Sequence, residues 1–171
     1  MYKRQQQRRA PPQLLCFPGT HNKWLAFTEN ALGNFSTTMS GELFGLLSQQ
    51  SILADSIDAH AVWNDDAFYR GIDHAEKSGG LLHHLFSVRS RNLNGEHSAR
   101  EGLPYLSGLI IGHELLNLSA KPTRSIGIVG AHALAQHYQM ALTYRGYEAF
   151  CVDSEAATIL GALAIMPHLL N

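Results

Sequence analysis

The stretch Leu14-Leu-Cys-Phe-Pro-Gly-Thr-His-Asn-Lys-Trp-Leu-Ala-Phe27, centred on Pro18-Gly19-Thr20-His21-Asn22-Lys23-Trp24, decides how the chain is read. Its apolar run, residues 14–17, predicts a buried strand. Pro18-Gly19 breaks that run, and residues 23–28 predict a second strand leading away, which leaves residues 19–22 as a tight polar loop. Such a loop suits an anion. Glycine lets the backbone approach a phosphate, consecutive N–H groups can point at its oxygens, and Thr20 and Lys23 add a hydroxyl donor and a point charge. The same residues also fit an ordinary hairpin turn.

With 171 residues, 45% of them hydrophobic, the chain can build one sizeable core or one large lobe of a bigger protein. Thirteen basic and 14 acidic residues give a formal net charge of −1, so no general attraction to nucleic acid or to an anionic membrane is expected. Phosphate chemistry must be local. Cys16 and Cys151 both lie in apolar strand-like runs, which predicts two buried thiols in a reducing, cytoplasmic compartment rather than a disulfide framework. No apolar run approaches the ~18 residues a membrane span needs.

Along the chain, the basic, Gln-rich residues 1–12 predict a mobile tail. Three strands follow at 13–18, 23–28 and 32–39, the last two joined by a turn at 29–31. Ser40 is expected to cap a helix running to about residue 51. Further helices are expected at 64–77, at 81–91 with an apolar stripe of Leu82, Leu85 and Phe86, and at 100–118, where Gly108 and Gly112, four apart, predict tight packing against another helix. After a connector at 121–124 the pattern is strand 125–129, helix 131–144, strand 149–152, and a helix at 154–170 capped by Ser154. The fold class is therefore α/β with α+β character, with no internal repeat.

Ten histidines invite a metal reading, which their spacing does not support. His113-Glu114-Leu-Leu-Asn117 has asparagine where a zinc-protease helix needs its second histidine, and His83-His84 and His132/His137 diverge around their helices. No metal ligand is assigned. Ile126-Gly-Ile-Val-Gly130-Ala-His132 is a strand, a glycine turn and a helix start, with Asp153 after the next strand where a dinucleotide's ribose would sit. Its glycines are spaced G-x-x-G rather than G-x-G-x-x-G, so only a generic nucleotide-accepting helix start is implied. No G-x-S-x-G elbow is present.

Four blocks carry a resemblance: Leu15-Cys-Phe-Pro-Gly-Thr-His-Asn-Lys-Trp24, Met39-Ser-Gly-Glu-Leu43, Leu81-Leu-His-His-Leu-Phe-Ser-Val-Arg89 and Tyr105-Leu-Ser-Gly-Leu-Ile-Ile-Gly-His-Glu114. In this order and spacing the chain resembles the 2-dehydro-3-deoxygalactonokinase family from about residue 13 onward. The resemblance implies a ribonuclease-H-like lobe of the acetate-and-sugar-kinase, heat-shock ATPase and actin superfamily, in which two lobes close on ATP. It implies phosphate binding by Gly19, Thr20, His21 and Lys23, and adenosine binding by Gly130, Ala131 and His132. It also implies that the helix carrying Gly108 and Gly112 hinges against the other lobe and exposes leucines there.

The family's first lobe, with its own phosphate loop and much of the sugar-acid site, has no counterpart before residue 13, so the chain reads as a C-terminal portion. ATP and Mg²⁺ are the implied cofactors, and a small-molecule sugar acid is the implied partner, with a homo-oligomer or a missing N-terminal lobe beside it and neither nucleic acid nor membrane. No catalytic residue is assigned. A non-catalytic ligand-binding or regulatory module is the alternative, and an NAD-dependent dehydrogenase is third.

Overall fold

The computed structural model describes residues 12–28, 31–118 and 125–169. The expected tail (apart from Pro12), most of the turn at 29–31, the connector at 121–124 and residue 170 lie outside them. Five strands, β1 (Leu14–Phe17), β2 (Asn22–Thr28), β3 (Ala31–Thr38), β4 (Ile126–Val129) and β5 (Ala149–Val152), form one sheet in the order β3-β2-β1-β4-β5. The short turns of the first three strands make them an antiparallel meander. The long excursion between β1 and β4 returns the chain parallel to β1, and β5 extends the sheet in the same direction. This mixed sheet with its helices is the expected α/β fold.

The helices are α1 (Ser40–Gln50), α2 (Asp65–Ala75), α3 (Gly80–Leu93), α4 (Ala99–Leu115), α5 (His132–Tyr144) and α6 (Ser154–Leu169), with a 3₁₀ turn at Ile52–Ser56 that the sequence pattern does not indicate. Two apolar layers hold them. Cys16 and Trp24, paired across β1 and β2, pack with Ile126, Ile128, Tyr138 and Leu142 between sheet and helices, while Leu106, Leu109 and Val88 sit with Leu53 and Ala67 in an all-helical layer.

α4 is the centre of the fold, not an unpartnered surface. Leu106, Leu109, Ile110 and Leu115 are buried, so the expected exposed leucine face is absent from it. The reason is steric. A Cβ on Gly108 would overlap the backbone carbonyl of Phe68, and one on Gly112 would lie 2.8 Å from the Ala75 Cβ and 3.0 Å from the Ile72 Cα. The small residues therefore admit α2, the tight helix packing that their spacing predicts. Exposed apolar side chains lie instead on β3 (Leu32, Phe35) and along α6 (Ile159, Leu160, Leu163, Ile165, Met166).

Several local expectations also change. Met39 occupies the cap of α1 without a side-chain bond, and Ser40 Oγ donates to Thr38 Oγ1 instead (3.1 Å). Asp153, not Ser154, caps α6 by accepting the Ala156 N–H (2.7 Å). On α3 the buried side chains are His84, Leu85 and Val88, leaving Leu82 and Phe86 exposed. Cys16 is buried, but Cys151, on the edge strand β5, is exposed with its thiol directed at Gln139 Oε1. Asn64 caps α2, its Oδ1 accepting the Ala67 N–H at 2.8 Å.

The helical layer also stores an acid sensitivity. Burial, reinforced by the His84 ring, draws the His74 imidazole down to about 4, and burial likewise lowers His97 and His113. These rings fold neutral. An unfolded histidine takes up its proton near pH ~6.5, so below that pH the unfolded chain binds more protons and stability falls. The loss should run from about pH 6.5 toward 4. Melting temperatures recorded from pH 7.5 to 4.5 should decline through this window, and a flat profile would contradict the assignment.

Candidate functional site

β1 and β4 are adjacent and parallel, so the chain leaves both at the same end of the sheet, where α/β proteins gather ligands. The two glycine turns, far apart in sequence, therefore touch. A Cβ on Gly130 would meet Pro18 Cγ at 3.1 Å and the Pro18 carbonyl oxygen at 3.2 Å. Gly130 lets the loop lie close against the turn, and a side chain there would push on Pro18 by a few tenths of an ångström. Ala131 and His132 are exposed at the start of α5.

Within the loop, the Gly19 N–H donates to Asn22 Oδ1 (2.7 Å). This closes the turn but engages one of the N–H groups expected to face an anion. Thr20 and His21 are exposed, and Lys23 Nζ donates to the His21 carbonyl (3.2 Å), which keeps the ammonium beside the loop. His21 Nε2 lies 2.5 Å from Glu42 Oε2, so its ring ties the loop to α1. The Glu42 N–H also donates to the Thr20 carbonyl (2.9 Å). Gly41 permits this approach, since a Cβ there would overlap the Gly19 carbonyl. The buttressing role of Gly41 and Glu42 does not follow from helix-start rules. Its only signal in the sequence is the glycine in a first helical turn.

Beneath the loop lies a buried polar network that the sequence pattern does not reveal. Glu114 Oε1 accepts the Trp24 indole N–H (2.5 Å), and Oε2 accepts Asn22 Nδ2 and Tyr138 Oη (2.8 Å each). Trp24 is core, as its pattern suggests, but its nitrogen is part of this network. Burial and the nearby Glu114 charge push both the Cys16 thiol and the Tyr138 phenol well above their usual range. The one usable signal is a carboxylate in the mostly apolar run 102–115 of α4.

A cavity of about 400 Å³ opens beside the loop. Gly19 and Asn22 border it, with Gly41 and Phe44 of α1, Ser107 and Ile110 of α4, and Ala133, His137 and Tyr138 of α5. Its size falls in the ~300–1,000 Å³ range of small-molecule sites. Trp63 forms another wall and stacks on His137 at 3.9 Å between ring centroids with planes 9° apart, and burial keeps that imidazole low. A larger cleft of about 780 Å³, lined by Trp63, Tyr69, Gln136 and Tyr144, borders neither glycine turn. Among the described residues no three His, Cys, Asp or Glu side chains converge as a metal site. His84 and His113 do meet, at 2.9 Å between ring nitrogens, but His84 Nε2 is held by the Ser78 carbonyl. Asp153, weighed as a ribose ligand, serves as the cap of α6.

A mixed sheet with glycine turns at the ends of neighbouring parallel strands and a cavity beside a helix start defines an α/β protein with its candidate site at that end of the sheet. The family described as 2-keto-3-deoxy-galactonokinase matches residues 3–165, and the chain belongs to it. It is 32% identical over 165 residues to a probable 2-dehydro-3-deoxygalactonokinase of Rhizobium meliloti (strain 1021), covering 91% of this chain and 52% of that protein. To the 2-dehydro-3-deoxygalactonokinase of Escherichia coli (strain K12) it is 29% identical, covering 95% of this chain and 56% of that one. A crystal structure of a putative 2-dehydro-3-deoxygalactonokinase from Sinorhizobium meliloti superposes with a TM-score of 0.78 at 30% identity, covering 92% of this chain and 53% of that one. The chain thus spans about half the length of the curated relatives it matches. Among the described residues, no helix is long and apolar enough to cross a membrane.

Proposed function

We propose that the chain is the nucleotide-holding lobe of an ATP-dependent, cytoplasmic kinase that phosphorylates 2-dehydro-3-deoxy-D-galactonate to its 6-phosphate in D-galactonate breakdown. The observation that carries this reading is the contact between the Pro18-Gly19 loop and the Gly130 turn, with a cavity beside the loop that Gly19 and the first turn of α5 (Ala133, Leu134) border. The ATP phosphates lie on the loop, where Thr20 supplies a hydroxyl, Lys23 a charge, and Gly19 and His21 the shape. The adenosine lies against Gly130, Ala131 and His132. The loop offers donors rather than carboxylates, so Mg²⁺ is held chiefly by phosphate oxygens and water, and its contribution is to neutralise charge on the transferring group.

The acceptor hydroxyl and its base come from a second body, the counterpart of the half of the relatives that this chain does not span. The exposed apolar rows of β3 and α6 give that body a surface to cover. In the complete enzyme, Thr20→Ala and Lys23→Ala should each lower kcat about 10²-fold, as loss of a preorganised donor commonly does, with smaller effects on KM. Rates within about twofold of wild type would count against the loop. The second reading is a binding or regulatory module without turnover, and sugar-dependent ADP formation by the complete protein separates the two.

A further inference from the structure

We infer that Glu114 is a positioning residue for the phosphate loop, acting through Asn22 on the Gly19 amide; this rests on the loop reading given above. An ionised carboxylate only accepts hydrogen bonds. Facing Glu114, the Asn22 side chain must therefore present its NH₂ group (2.8 Å), which turns its oxygen outward onto the Gly19 N–H (2.7 Å). The orientation of a surface turn is thus set from beneath, by the Glu114 carboxylate together with the Tyr138 hydroxyl, which also accepts from Asn22 Nδ2. The same carboxylate takes the Trp24 and Tyr138 donors, so β2, α4 and α5 converge on one anchor below the loop. Three donors meet one acceptor-only group. Asn22 and Glu114 are both almost fully buried, so a partner lost by either is costly.

Glu114→Gln keeps the shape and removes this logic. A carboxamide has one acceptor oxygen, so at least one of the three donors faces its NH₂ group; the Asn22 NH₂ group is then held mainly by the Tyr138 hydroxyl, to which it also donates, and the grip of its oxygen on the Gly19 N–H weakens. The test uses the ¹⁵N-labelled chain, with amide exchange at Gly19 read against core amides such as Ile128, and with ATP affinity measured in parallel. In Glu114→Gln, Gly19 exchange should accelerate and the ATP Kd rise, each about tenfold or more, while Ile128 changes little.

Adding Trp24→Phe removes the donor most exposed to the new NH₂ group and should restore part of both losses. Should Glu114→Gln not fold, Asn22→Ala, which cuts only the outer arm of the relay, should reproduce the Gly19 and ATP effects. Wild-type Gly19 exchange in these variants would overturn the inference, as would faster exchange with unchanged ATP affinity. A wild-type chain that fails to bind ATP would instead overturn the nucleotide reading on which the inference rests.

Discussion

Gly108→Ala is expected to destabilise the fold by about 3 kcal/mol, the upper part of the usual range for overpacking. The added methyl would overlap the Phe68 carbonyl, which is backbone and cannot rotate away, so α2 and α4 must separate. Separation loosens Phe68 and Ile72 against Ile111 and Leu115, which share one apolar layer. For a chain of this size the melting temperature should fall by roughly 6–12 °C. Gly45→Ala is the internal comparison. Gly45 lies inside α1, and a methyl added there would meet nothing within 4 Å, so alanine should stabilise by about 0.5–1 kcal/mol through helix propensity alone. A Gly108→Ala protein melting within about 2 °C of wild type would show that the helix crossing is looser than described.

The second large effect concerns turnover. Made by itself, the chain should bind ATP yet produce no sugar-dependent ADP above background. Phosphoryl transfer needs nucleotide, metal and acceptor hydroxyl held in line, and misplacement alone removes most of the ~7–11 kcal/mol that orientation can contribute. The loop and the Gly130 turn grip from one side only. The exposed rows on β3 and α6 should also make the isolated chain self-associate, which sedimentation will detect. Robust turnover by a monomer would place the whole active site within these residues and refute the two-body reading.

Much of this arrangement is legible from local rules. The break at Pro18-Gly19 after a short apolar run, the start of α2 at 64–65 and the strand–glycine–helix pattern at 126–132 each have a short-range physical cause, and each stands where expected. What escapes those rules is long-range. Nothing in the residues around Glu114 says that Asn22, Trp24 and Tyr138 converge on it, since their partners come from other elements of the chain. Gly108 and Gly112 announce a close approach but not its partner, so a hinge fits the sequence as well as the α2 contact that the structure contains. The apolar neighbours of Cys151 point to a buried thiol, because the position of β5 at the sheet edge depends on strand order, which those neighbours do not encode. The Trp63 wall likewise arises from the meeting of a loop residue with α5.

The central claim is that one nucleotide lies across the Pro18-Gly19 loop and the Gly130 turn. Titration of the ¹⁵N-labelled chain with Mg·ATP, followed at the amides of Gly19 to Lys23 and of Gly130 to His132, tests it most directly. Both groups of amides should shift together with a single saturable Kd, with AMP moving the 130–132 group far more than the loop. Shifts confined to one turn, or NAD binding in preference to ATP, would contradict it.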